Sequence, residues 1–140
     1  MSLNIELLEQ SFELVKGRGE EFTDHFYTTL FADYPAVEPL FANTHLHEQG
    51  KKLFASLVFV VESLRKPEAL DSVLKELGRR HVKYGVLPQH YSMVGHSLLK
   101  TLEWALDSDW VPEVEQVWVI AYNAVTQRML QGADYSYEDS

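Results

Sequence analysis

The 140-residue chain predicts an all-α fold of six long helices and one short corner helix, and three observations carry that reading. Apolar residues recur at three- and four-residue spacing in every well-defined segment, strict alternation of apolar and polar residues is missing, and proline and glycine are scarce, at five and seven. Roughly three quarters of the chain reads as helix, against about one third in an average globular domain. Residues 1–140 make one domain, long enough to bury a core and still surround a small cofactor.

The first helix runs from about Asn4 to Lys16, with Ile5, Leu8, Phe12 and Val15 inward, Asn4 as cap, and Gly17 and Gly19 as its end. The second, about Glu20 to Tyr34, opens on carboxylates that suit a helix amino terminus. Phe22, Phe26 and Leu30 form its stripe, and Tyr27 with Phe31 widens it. Pro35 and Pro39 then force a tight corner that delivers Leu40 and Phe41 inward. After a polar link a third helix spans about Leu46 to Arg65, with Gln49, Leu53, Leu57 and Val60 on one face. Gln49 heads that apolar stripe, so its amide either lies solvated at the rim or needs a partner inside. Pro67 starts the fourth helix, Pro88 the fifth and Pro112 the sixth. The fifth carries Tyr91, Val94, Leu98, Leu102 and Ala105 inward, with Gly95 permitting a close crossing. The sixth presents Val114, Val117, Trp118, Ala121, Val125 and Met129; Gly132 stops it, and residues 133–140 form a frayed tail.

The fourth helix is the informative one. Leu70, Val73, Leu74, Leu77, His81 and Tyr84 recur at helical spacing, which puts His81 in line with the apolar stripe. Arg79, Arg80 and Lys83 lie beside it, and Gly85 suits a left-handed stop. A lone histidine on such a face is commonly a core residue satisfied by a carbonyl. The alternative is a ligand: an inward imidazole at a helix end, flanked by cations, can hold iron in a flat dianionic cofactor whose carboxylates answer those cations.

Composition narrows the partners. The absence of cysteine excludes disulfides, zinc thiolates, iron–sulfur clusters and thiol catalysis. A net charge of −9 opposes nucleic acid and anionic membranes. The amino terminus MSLNIELLEQ has neither the basic start nor the cleavage site of a signal peptide, and no apolar run is long enough to cross a bilayer, so a cytoplasmic protein is expected.

Three stretches, HFYTTLFADYP-x4-LF at 25–41, HEQGKKLF at 47–54 and RRHVKYGVLPQHYSMVG at 79–95, make the sequence resemble the globins, in particular single-domain bacterial globins related to the haem domain of flavohaemoglobins. The resemblance runs from about Leu7 to Leu130. It implies a globin fold around haem b, with His81 as the proximal iron ligand, Phe41 packed on the haem face, Tyr27 as the distal hydrogen-bond donor, Gln49 at the main distal position and Leu53 limiting access a turn later. Val86, Tyr91 and Val94 join Phe41, Leu53 and His81 as cofactor-contacting positions. One departure stands out: where flavohaemoglobins carry a last-helix glutamate that orients the proximal histidine, an ungapped extension puts Tyr135, with Asp134 or Glu138 as displaced carboxylates. Loss of that partner weakens the imidazole as an electron donor. The flavin and nicotinamide reductase module of that family is also missing from this sequence.

The tyrosine and glutamine pairing implies tight O2 binding and slow release, which suits an enzyme that keeps oxygen until nitric oxide arrives. The expected function is a high-affinity oxygen-binding globin acting as a nitric oxide dioxygenase, with electrons from a separate reductase, in a monomer or weak dimer. Non-catalytic oxygen storage or scavenging, and gas or redox sensing, are the alternatives, and a haem-free globin-fold regulator is a further one. His45 or His47, like Gln49, is an alternative iron ligand in the absence of gas.

Overall fold

A computed structural model describes residues 4–133 and shows, among them, six α-helices and three short 3-10 segments with no strand. The helices are α1 (Ile5–Glu13), α2 (Gly19–Asp33), α3 (Leu46–Glu62), α4 (Pro67–Lys83), α5 (Pro88–Leu106) and α6 (Pro112–Ala133). The corner is a 3-10 helix, Pro35–Phe41.

Local chemistry accounts for the ends. The Asn4 side chain accepts the Leu7 amide at 3.1 Å and caps α1. That helix stops at Glu13, short of the expected Lys16, because the chain tightens there. The Leu14 and Val15 amides bond three residues back, to Ser11 and Phe12, and the turn drives Val15 fully into the core. Gly19 starts α2 instead of ending α1. Pro67, Pro88 and Pro112 each occupy the first position of a helix, where their missing amide costs nothing. Gly85 has φ +85°, the left-handed conformation that reverses the chain after α4.

Three further expectations are corrected. Leu40 is exposed; Val37 is the corner residue that the core takes. Val73 and Tyr84 are exposed as well, because the line of α4 that meets α6 is Leu70, Leu74 and Gly78, which turns Val73 outward. Gly132 does not stop α6, which runs on to Ala133. A Cβ at Gly132 would run into the Lys75 backbone, and one at Gly78 into the Met129 carbonyl, so these two glycines are where α4 and α6 cross in backbone contact. Gly95 behaves as expected: the Tyr122 ring fills the space a side chain would take. Of the tail, only Ala133 is described, and Asp134, Tyr135 and Glu138 lie outside the described residues.

These contacts leave the core in two parts. The larger gathers α1, α2, α5 and α6 around Phe22, Leu30, Leu102 and Trp118, with the Trp118 indole donating to the Ser11 hydroxyl at 2.9 Å. The smaller holds Leu70, Leu74, Tyr91 and Met129. α3 packs on α2 and α1, α4 packs on α6, and Leu64 in the intervening turn touches both clusters.

Candidate functional site

Two helices carry apolar faces that the protein covers incompletely. Of the 17 residues of α3, only Gly50 and Val61 are buried; Leu53, Leu57 and Val60 stay half-exposed although they share one face. On α4, Leu77 and His81 are half-buried too. An amphipathic helix this long normally hides its apolar stripe, and here protein covers only part of it.

His81 supplies the chemistry. Its Nδ1 lies 2.6 Å from the Leu77 carbonyl, one turn back on the same face. A carbonyl can only accept, so Nδ1 carries the proton and the Nε2 lone pair is left to coordinate a metal. The same bond fixes the ring. Tyr84 meets the imidazole edge to face at 5.8 Å between centroids, and Tyr91 lies at 6.4 Å. Tyr91 is held in turn by Tyr122, whose hydroxyl donates to the Tyr91 carbonyl and is pushed above the usual phenol range by burial.

Tyr27 is 6% exposed and sits within aromatic rings: Phe26 at 5.1 Å, Phe41 at 5.7 Å and Phe31 at 6.0 Å. Burial pushes its hydroxyl up to about 12, so it remains a neutral donor at any physiological pH. Close by, Gly50 is packed so tightly on α2 that a Cβ would come within 2.8 Å of the Thr23 hydroxyl oxygen. That crossing fixes the first turn of α3, which carries Gln49, half-exposed, with no side-chain hydrogen bond to a described residue.

The predicted site residues thus assemble as two groups. Tyr27, Phe41, Leu53 and Val94 belong to the larger cluster, whereas Tyr91 and Val86 belong to the smaller, with His81 against Tyr91. The cations beside His81 are partly answered within the chain: Arg79 and Arg80 both reach the Glu76 carboxylate, at 2.9 and 3.7 Å. His45 and His47 are exposed on the outer part of the link and first turn of α3, and His47 faces Glu20 at 3.9 Å.

Sequence reasoning expected a carbonyl partner for His81 only if it were an ordinary core histidine, and the structure supplies one in Leu77. It missed Tyr122, available as the residue four after Trp118. A separate surface feature also escaped it: the His25 and Trp104 rings stack at 4.0 Å, and the Arg18 guanidinium lies over Trp104 at 5.5 Å, beside an open groove between α2 and α5. No helix among the described residues is long and apolar enough to cross a membrane.

Comparison with known proteins identifies the fold. The Globin family model matches residues 24–129. A flavohemoprotein of Vibrio cholerae is 28% identical over 136 residues, covering 94% of this chain but 34% of its own length. The chain thus spans about a third of the flavohemoproteins it matches. A globin-like protein of Aquifex aeolicus, of uncharacterised role, is 31% identical, with 90% of this chain and 88% of that one covered. Among solved structures, a bacterial globin from Campylobacter jejuni superposes with a TM-score of 0.82 at 25% identity, over 96% of both chains. An engineered carbene transferase of Rhodothermus marinus, provisionally described as a nitric oxide dioxygenase, gives 0.84 at 22% identity over 96% of this chain and 93% of its own.

Proposed function

The chain belongs to the globin family, with haem as its cofactor, and from that premise we propose that it holds haem b through His81, binds O2 with high affinity, and converts nitric oxide to nitrate with electrons from a separate reductase. When bound, haem supplies the iron at which one O2, one nitric oxide and one electron combine to nitrate. The single observation that carries this reading is the His81 Nδ1 contact to the Leu77 carbonyl, which leaves the Nε2 lone pair for a metal.

The chain's own residues do the rest. Leu77 orients the imidazole, and Tyr91 and Tyr84 hold the ring from its sides. Phe41 covers an apolar face and, with Phe31, keeps the Tyr27 ring fixed. The Tyr27 hydroxyl, protonated and without an acceptor among the described residues, donates to a diatomic ligand that carries partial negative charge. The Gln49 amide adds a second donor, and Leu53 narrows the approach and keeps water out. Donors fixed before the ligand arrives need no reorganisation, so they slow its release.

The test is to mix the oxygenated ferrous protein with nitric oxide and follow nitrate and the ferric spectrum together. Stoichiometric nitrate supports the reading. O2 binding without nitrate would make the protein an oxygen store, and a purified protein with no Soret band would end the proposal.

A further inference from the structure

The charges of this acidic chain are unevenly spread. Between Glu76 and Glu103 stand Arg79, Arg80, Lys83 and Lys100 and no carboxylate, so all 21 acidic residues fall outside that span. Lys100 is neutralised elsewhere, at 2.7 Å from Asp33. The other three surround the turn from α4 to α5, where one carboxylate, Glu76, answers two arginines, and Lys83 is exposed with no ion pair to a described residue.

The same turn exposes apolar surface. Tyr84 is 64% exposed and Leu87 45%, and Leu40 of the corner helix leans toward them, 3.7 Å from where a Cβ at Gly85 would lie. An apolar centre rimmed by charge of one sign is the anatomy of a transient protein interface. Tyr84 also touches the His81 ring, so whatever covers this patch stands one residue from the candidate iron ligand.

We propose that the α4–α5 turn is the docking face for an acidic redox protein that delivers single electrons to the site. This rests on the reading that reducing equivalents come from a separate protein. The step transfers one electron: the donor is oxidised by one, ferric iron is reduced to ferrous, and no bond forms or breaks. Charge selects the occupant. Outside this span the chain carries 21 acidic and eight basic residues, so as a whole it repels an acidic partner, and this turn is where one is drawn in, which orients the encounter.

The experiment uses the haem-loaded protein and compares wild type with Lys83→Glu, Arg79→Glu and, as control, Lys66→Glu at the opposite end of α4. Reduction by a reduced flavodoxin, an acidic one-electron donor, is timed by stopped flow. Photoreduced lumiflavin serves as a small, uncharged reductant. At roughly 10 mM salt the Lys83 and Arg79 variants should be reduced by flavodoxin about tenfold more slowly relative to their own lumiflavin rates, with the difference closing near 0.5 M salt, while the Lys66 variant behaves as wild type. Titration with oxidised flavodoxin should shift the amide resonances of Tyr84 and Leu87. Equal flavodoxin rates in all variants would overturn the proposal, as would slowing with lumiflavin together with faster haem loss, which would assign the cations to the cofactor's carboxylates. The two readings fail separately: charge variants that slow flavodoxin in a protein making no nitrate would leave the docking face and remove the nitric oxide chemistry.

Discussion

Replacing Tyr27 by phenylalanine isolates one atom. The ring sits among Phe26, Phe31 and Phe41 at centroid distances of 5.1–6.0 Å and is 6% exposed, so phenylalanine keeps the packing and deletes only the hydroxyl. No described residue accepts from that hydroxyl, so the substitution orphans no partner, and stability should change by less than about 0.5 kcal/mol. A hydrogen bond to a partly charged ligand in a dry site is worth roughly 1.5–3 kcal/mol, or about ten- to a hundredfold in a rate. Oxygen dissociation, measured by stopped-flow displacement with carbon monoxide, should accelerate by that factor. An off-rate within about twofold of wild type, with haem content and thermal midpoint unchanged, would refute the assignment of Tyr27 as the donor. A faster off-rate accompanied by a large loss of stability would also count against it, because the cage rather than the hydroxyl would then have failed.

Other outcomes follow from the same contacts. His81→Ala should purify largely without haem, and added imidazole should restore a Soret band by filling the vacated space; an unchanged pigment would remove His81 as the ligand. Gly78→Ala should lower stability by about 2 kcal/mol, since its Cβ meets the Met129 backbone, which no rotamer change can relieve. Gly17→Ala, with nothing within 4 Å, should instead raise stability by about 0.5 kcal/mol, and urea midpoints of the pair check both signs. The Tyr27 hydroxyl is raised from 10 to about 12 on folding, so the native state keeps a proton that the unfolded chain gives up. Its contribution to stability is whole below pH 10 and is lost as pH climbs through 12, which an ultraviolet titration of tyrosine alongside denaturant curves will show.

The helix order was legible because prolines at first helical positions and a left-handed glycine act through the local backbone alone. Asn4, Pro67, Gly85 and Pro88 do the same work here that they would do in any sequence. Gly132 misled for the opposite reason. A glycine near a helix end reads as a stop, but here its use is tertiary, since it lets the Lys75 backbone come close, and no pattern within α6 announces the helix that crosses it. Leu40 failed likewise: two adjacent large apolar residues at a corner cannot both point inward, and the exposed one now lies beside Gly85.

At about 100° per residue His81 projects between Leu70 and Leu74, yet it stays half-buried where they are buried, because it comes after Gly78, the last buried residue of α4. Periodicity shows that α4 has an apolar face; it does not show that the far end of that face stays half-covered. The same limit applies to α3, where Leu53, Leu57 and Val60 form an ordinary stripe in the sequence and stay half-covered in the fold. If His81 holds the haem as proposed, the cofactor would also cover these half-buried apolar residues, so losing the ligand would cost stability as well as pigment.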